Sequence, residues 1–159
     1  MFSPSQSARP LREVLDVPRS QLFGPTPWLT VQPEDLRDFV TVTSPEGGGD
    51  LTVSLNNELG DTLVDGLFLL SLLPHFFWQL WHYRDDGTWA LNYGYDRVRF
   101  VTPVHVGERI RLSFRILEAS PRGDDGVLVK VANTLEVAGH DRPGLTAESL
   151  TLFLDQTEV

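Results

Sequence analysis

Asp65 and Gly66 stand at the head of the most apolar stretch of the chain, Val64 to Trp81. At the start of a helix a carboxylate is favoured by the positive end of the dipole, which lowers its pKa, while burial raises it. If burial dominates, Asp65 can serve as an acid or a base; if not, it is a plain N-cap. Gly66 leaves its backbone N–H open to a ligand. Asp50 and Glu46 lie in the preceding loop, Ser44 to Asp50, beside the run Gly47-Gly48-Gly49. A catalytic group must be held still, so Asp50 can act only if a ligand or a partner clamps that loop; otherwise both acids are solvated loop charges. Ser71 sits one and a half turns into the helix, where its hydroxyl can reach a ligand or, more simply, a backbone carbonyl. His75 can titrate near neutrality or rest as a satisfied core histidine. His82, His105 and His140 lack metal-ligand spacing, so neither a metal nor another cofactor is expected.

These groups need a frame. A helix that is apolar all round must be wrapped by other structure or by lipid. The run from Gly66 to Trp81 is shorter than the roughly 20 residues of a bilayer span and carries Pro74, His75 and Gln79, so it reads as a buried helix, kinked near Pro74. Before it, Leu11 to Val17 suits a short helix and Trp28 to Val31 a short strand. Gln32 to Val40 suits a helix, with Pro33 in its first turn and Leu36, Phe39 and Val40 on one face. Leu51 to Leu55 suits another short strand. After the central helix the period changes to two. Strands are predicted over Trp89–Val101, Glu108–Leu117, Val127–Val137 and Leu145–Leu154. In the last, Leu150, Leu152 and Leu154 share a face. Turn residues fill Arg84 to Gly87, Pro121 to Gly126 and Gly139 to Gly144. One apolar helix with a patterned antiparallel sheet points to an α+β hotdog fold, a curved antiparallel sheet wrapped around a central hydrophobic helix. Residues 1–27 read as an extended N-terminal segment and 28–159 as a single domain. Such a sheet has edges to cover, so a dimer is expected.

The chain has 159 residues, a net charge of −9 and no cysteine. Disulfide and thiolate chemistry are thereby excluded. The acidic balance and the absence of a basic stripe argue against nucleic acid as a partner. No membrane span and no signal peptide are expected, and cytoplasm is the default location.

Trp28-Leu29-Thr30-Val31-Gln32 with the following helix resembles the opening of the MaoC-like dehydratases, the (R)-specific enoyl-CoA hydratase family, in its nodulation-protein-N-like branch. So do Asp65 to Pro74, Leu91-Asn92-Tyr93-Gly94-Tyr95-Asp96-Arg97-Val98-Arg99-Phe100, and Thr102 to Gly107. The resemblance implies a hotdog fold and reversible loss or addition of water on acyl thioesters of coenzyme A or a carrier protein. It implies that the Gly66 region polarises the thioester carbonyl, and that Asn92 and Tyr93 lie beside the helix start, where Tyr93 can donate to a substrate oxygen or stand as a structural aromatic with a satisfied hydroxyl. Arg97 and Arg99, with Arg109, Arg111 and Arg115, can form a patch for the phosphates of such a carrier, or a solvated sheet face paired with acids. The family places an Asp and a His about five apart in the loop after the first helix. Here Pro45 takes the Asp position and Gly48 to Asp50 the His position, and no histidine precedes His75. The family's His-Gly at the helix start is Asp65-Gly66.

Three functions follow. The first is a lyase, a dehydratase or hydratase with a site rebuilt around Asp65, Tyr93 and Asp50, with Gly66, Asn92, Ser71, Arg97 and Arg99 binding substrate. The second is a non-catalytic subunit of a heterodimeric dehydratase. The third is an acyl- or metabolite-binding protein lined by Phe76, Phe77, Trp78 and Trp81. The expected partners are an acyl thioester or another small molecule, an acyl carrier protein, and a second copy of the chain or another hotdog subunit.

Overall fold

The computed structural model describes residues 11–43, 63–81, 89–124 and 126–154. In chain order they form a 3-10 turn (Leu11–Asp16), β1 (Leu29–Thr30), α1 (Pro33–Thr43), α2 (Gly66–Ser71), α3 (Leu73–Leu80), β2 (Trp89–Phe100), β3 (Arg109–Arg122), β4 (Gly126–Val137) and β5 (Leu145–Leu154). The expected strand at Leu51–Leu55 and the glycine loop with Asp50 lie outside the described residues.

The five strands make one antiparallel sheet in the order β1-β3-β4-β5-β2. Register shifts at Asn92/Gly94, Asp96/Arg99 and Ile116/Glu118 are the kind of irregularity that bends and twists strands. The sheet curls accordingly, and α3 lies on its inner face. This is the α+β hotdog arrangement. The alternation read on β3 places Ile110, Leu112, Phe114 and Ile116 in the core. From the helix, Phe76 is fully buried and the Phe77 ring stacks on Phe114 with centroids 4.8 Å apart. The N-terminal segment joins the same core. Val14 and Val17 are buried, Phe23 exchanges backbone hydrogen bonds with Phe114, and the Leu112 N–H donates to Thr26 Oγ1 at 3.0 Å.

One local feature differs from the expectation. The central helix is two helices. Leu72 ends α2, its N–H donating to the Leu69 and Leu70 carbonyls, and Pro74 then sits in the first turn of α3. A proline lacks only an N–H that the first turn leaves unpaired anyway, so it starts a helix more cheaply than it kinks one. On β5, Leu150, Leu152 and Leu154 share a face as expected; the sequence pattern leaves open which face the core takes, and it is the other one, with Leu145, Ala147 and Phe153 buried. The leucines are half-buried on the side away from α3. Among the described residues, no helix is long and apolar enough to cross a membrane.

Candidate functional site at the head of the central helix

Backbone pairing sets the approach to α2. The Val64 N–H donates to the Val104 carbonyl at 2.8 Å, and Leu63 bridges to His105. Asp65 then takes an extended backbone and caps the helix, its Oδ1 accepting from the Leu67 N–H at 2.7 Å. The first N–H groups of a helix have no intrahelical partner. Leu67 is thus satisfied by Asp65, whereas no described residue accepts from the Gly66 N–H. A Cβ on Gly66 would lie 2.8 Å from the Phe100 ring, so only glycine lets the strand β2 terminus approach this closely. Asp65, Gly66, Leu67, Phe100, Pro103 and Gly144 are among the residues that wall a cleft of about 380 Å³. It can hold an acyl thioester head against a backbone donor, with one carboxylate at the rim. Asp65 itself is exposed.

The structure brings Asp65 and Gly66 together and sets the other expected site residues elsewhere. Tyr93 sits at the β2 register shift, 55% exposed, and is not among the residues lining the cleft. Asn92 lines a separate cavity under α3. The Ser71 hydroxyl donates to the Phe68 carbonyl at 2.7 Å, the backbone role open to it from the start. Arg97, with φ of 49°, pairs with Glu148 at 3.3 Å, and Arg99 donates to the Val98 carbonyl. Arg109 and Arg111 stack over the Trp28 ring, and Arg111 pairs with Glu136. His75 lies within 2.9 Å of Gln79 and faces Asp35 and Asp38 across a cleft of about 360 Å³.

Sequence reasoning missed the cavity under α3. Its polar lining comes from Asn92, Tyr95, Asn133, Ser149 and Thr151, opposite Leu73, Pro74, Phe77 and Trp78. The available signal was Asn133, the one polar residue among the odd, core-facing positions of β4 from Val127 to Val137. Burial pushes the Tyr95 phenol above its ordinary value. The loop before β3 has its own anchor. Burial would raise the Glu108 carboxyl, but hydrogen bonds with the His105 N–H (2.7 Å) and His140 (2.9 Å) outweigh it and hold the carboxyl below its usual range. Among the described residues, no group of three His, Cys, Asp or Glu is placed to hold a metal ion.

No family model matches the chain. It is 31% identical over 148 residues to Nodulation protein N of Rhizobium leguminosarum bv. viciae, covering 87% of this chain and 89% of that protein. Its fold superposes on a MaoC-like dehydratase from Rhodospirillum rubrum with a TM-score of 0.67 at 11% identity, covering 90% of this chain and 97% of the other. The chain belongs to the MaoC-like dehydratase family. Another relative, 29% identical over 137 residues, is the 3-hydroxyacyl-thioester dehydratase Z of Mycobacterium tuberculosis (strain ATCC 25618 / H37Rv), with 82% and 87% coverage. Asp65, Gly66 and Phe100 are among the residues of the cleft at the helix start. The loop in which the family carries its Asp and His falls, beyond Thr43, outside the described residues.

Proposed function

We propose that the chain is a lyase that removes water from, or adds it to, an acyl thioester of coenzyme A or of a carrier protein. The observation that carries this reading is the cleft built by Gly66 against Phe100 at the head of the central helix. A thioester carbonyl seated there accepts from the Gly66 N–H. Gly66 is the first residue of α2, so the positive end of that helix adds to the donor. Charge developing on the thioester oxygen is stabilised, and the neighbouring Cα–H becomes acidic. Asp65 is exposed at the rim of the single chain and spends Oδ1 on the Leu67 N–H, so it meets the burial condition for a base only once the seated thioester covers it; it then takes the Cα proton, and the hydroxyl at C3 departs as water after receiving a proton. Tyr93 and Asp50 are the proposed sources of that proton. For Tyr93 this demands a second protomer that carries its β2 edge across the cleft. A homodimer suits that demand. Among the described residues β2 is an edge strand with no neighbour on its outer side, and Trp89, Leu91, Tyr93 and Phe100 are exposed along it. Arg97 and Arg99, exposed on the same strand, are proposed to meet the phosphates of the carrier. Cytoplasm is the proposed location.

The test is hydration of trans-2-enoyl-CoA by the purified chain. Turnover is expected, and Asp65→Asn should reduce it by about 10²–10⁴-fold, the usual worth of a positioned acid or base. Unchanged turnover in the variant removes Asp65 from the mechanism. A second reading is favoured by the altered loop, with Pro45 and Gly48 to Asp50 where the family keeps its Asp and His. In it the chain is the non-catalytic half of a heterodimer. Inactivity of the chain alone, with activity when it is co-purified with another hotdog subunit, would establish it.

A further inference from the structure

The inner face of the sheet breaks its apolar pattern in one place. On β4, Val127, Val129, Val131, Leu135 and Val137 are buried among the helix side chains, and Asn133 interrupts them at 4% exposure. Asn133 is paired with Ala147 of β5, and the next two core-facing positions there are Ser149 and Thr151. Their partners on β2 are Tyr95 and Asn92. Five polar side chains from three strands therefore share one cavity of about 110 Å³ under α3, room for a few water molecules.

The hydrogen bonds of Asn133 define what the cavity offers. Nδ2 donates to the Val131 carbonyl (3.1 Å), the Ala147 carbonyl (3.3 Å) and Ser149 Oγ (2.9 Å). The amide nitrogen is fully committed, and no described residue donates to Oδ1. Ser149 accepts, which leaves its own proton to give. Tyr95 and Thr151 add two more hydroxyls. The cavity thus presents acceptors and donors together and no charged side chain. An ion would enter without a counter-charge, and a hydrocarbon would strand these groups without partners; both are unfavourable. A neutral oxygen-bearing group satisfies them.

We propose that this cavity is a specificity subsite for a hydroxyl or carbonyl group carried on the substrate's acyl chain, so that the protein selects oxygenated chains over plain hydrocarbon ones. The inference rests on the acyl-thioester reading above. Leu73 follows Gly66 by seven residues across the break at Leu72; at about 1.5 Å per helical residue the two lie within roughly 10 Å of each other, a span that a medium-length acyl chain covers.

The experiment is calorimetric titration of the full chain with saturated acyl-CoA thioesters of about six to ten carbons, each compared with its ω-hydroxy counterpart. Saturated chains bind without turnover. At least one hydroxylated chain should bind tenfold or more tighter than its plain partner, since a site built around hydrogen bonds penalises the analogue that lacks them. The double variant Tyr95→Phe/Thr151→Val removes two hydroxyls at nearly constant shape. It should shrink the preference to threefold or less while plain thioesters bind as well as before or better. Equal binding within every pair, or a preference that survives in the double variant, overturns the subsite and leaves the thioester reading standing. Failure of every thioester to bind overturns both.

Discussion

Gly66→Ala separates the cleft from the fold that carries it. The added Cβ would stand 2.8 Å from Cδ1 and Cε1 of Phe100 and 2.9 Å from Cγ. Comfortable carbon–carbon contact is about 3.5–4.0 Å, so the ring must retreat by roughly 1 Å. Three ring atoms are involved, so a small tilt does not clear all of them. Phe100 ends β2 and is 51% exposed, so it has solvent to move into and the fold need not break. Alanine also favours the helix over glycine by up to about 1 kcal/mol. The net change in stability should stay within about 1 kcal/mol, or about 2–4 °C in the thermal midpoint of a chain of this size. Activity should respond very differently. Phe100 is a wall of the cleft, and a displacement of about 1 Å at a site that orients a reaction can cost on the order of 10²-fold. The assay is kcat/KM for hydration of trans-2-enoyl-CoA beside a thermal melt. Adding Phe100→Ala should restore part of the lost activity, since the two positions are coupled through one contact. A Gly66→Ala protein that melts normally and keeps its activity within threefold would refute the placement of the thioester between Gly66 and Phe100.

Asp65→Ala should lose the N-cap and about 1 kcal/mol of stability, whereas Asp65→Asn keeps an oxygen for the Leu67 N–H and should melt within about a degree or two of the parent. Phe76→Ala empties a fully buried site at the centre of α3 and should cost about 3–5 kcal/mol by denaturant unfolding. The Glu108 carboxyl is held below its ordinary value of 4.5 in the fold, so its contribution is complete above that pH and is lost as pH falls through the folded-state value. Parent protein and Glu108→Gln should therefore differ in melting temperature at neutral pH and converge as pH falls through the folded-state value of Glu108; a gap still present once that carboxyl is protonated would contradict the His105 and His140 contacts.

Local periodicity made much of the architecture legible. The two-residue alternation of β3 is written in Ile110 to Ile116, and the start and end of β5 lie where the pattern puts them. α1 begins where the pattern puts it, with Pro33, Glu34 and Asp35 in its first turn, but runs on past Val40 to Thr43. The cap at Asp65 was likewise open to sequence reasoning, because an N-cap involves only residues two or three apart. Pro74 reads from the sequence as a kink or a loosening of one helix; the interruption falls at Leu72, two residues earlier, and Pro74 sits in the first turn of the helix that follows.

Alternation states that a strand has two faces but not which one the core will claim. Leu150, Leu152 and Leu154 share a face of β5 as the pattern says, and the curl of the sheet and the position of α3 turn the other face, Ala147, Ser149, Thr151 and Phe153, inward. The same long-range pairing separated Tyr93 from Asp65 and assembled Asn133, Ser149 and Tyr95 from three strands. No stretch of chain encodes that meeting on its own. It arises from register across β4, β5 and β2, which local propensity does not determine but packing a single buried helix does.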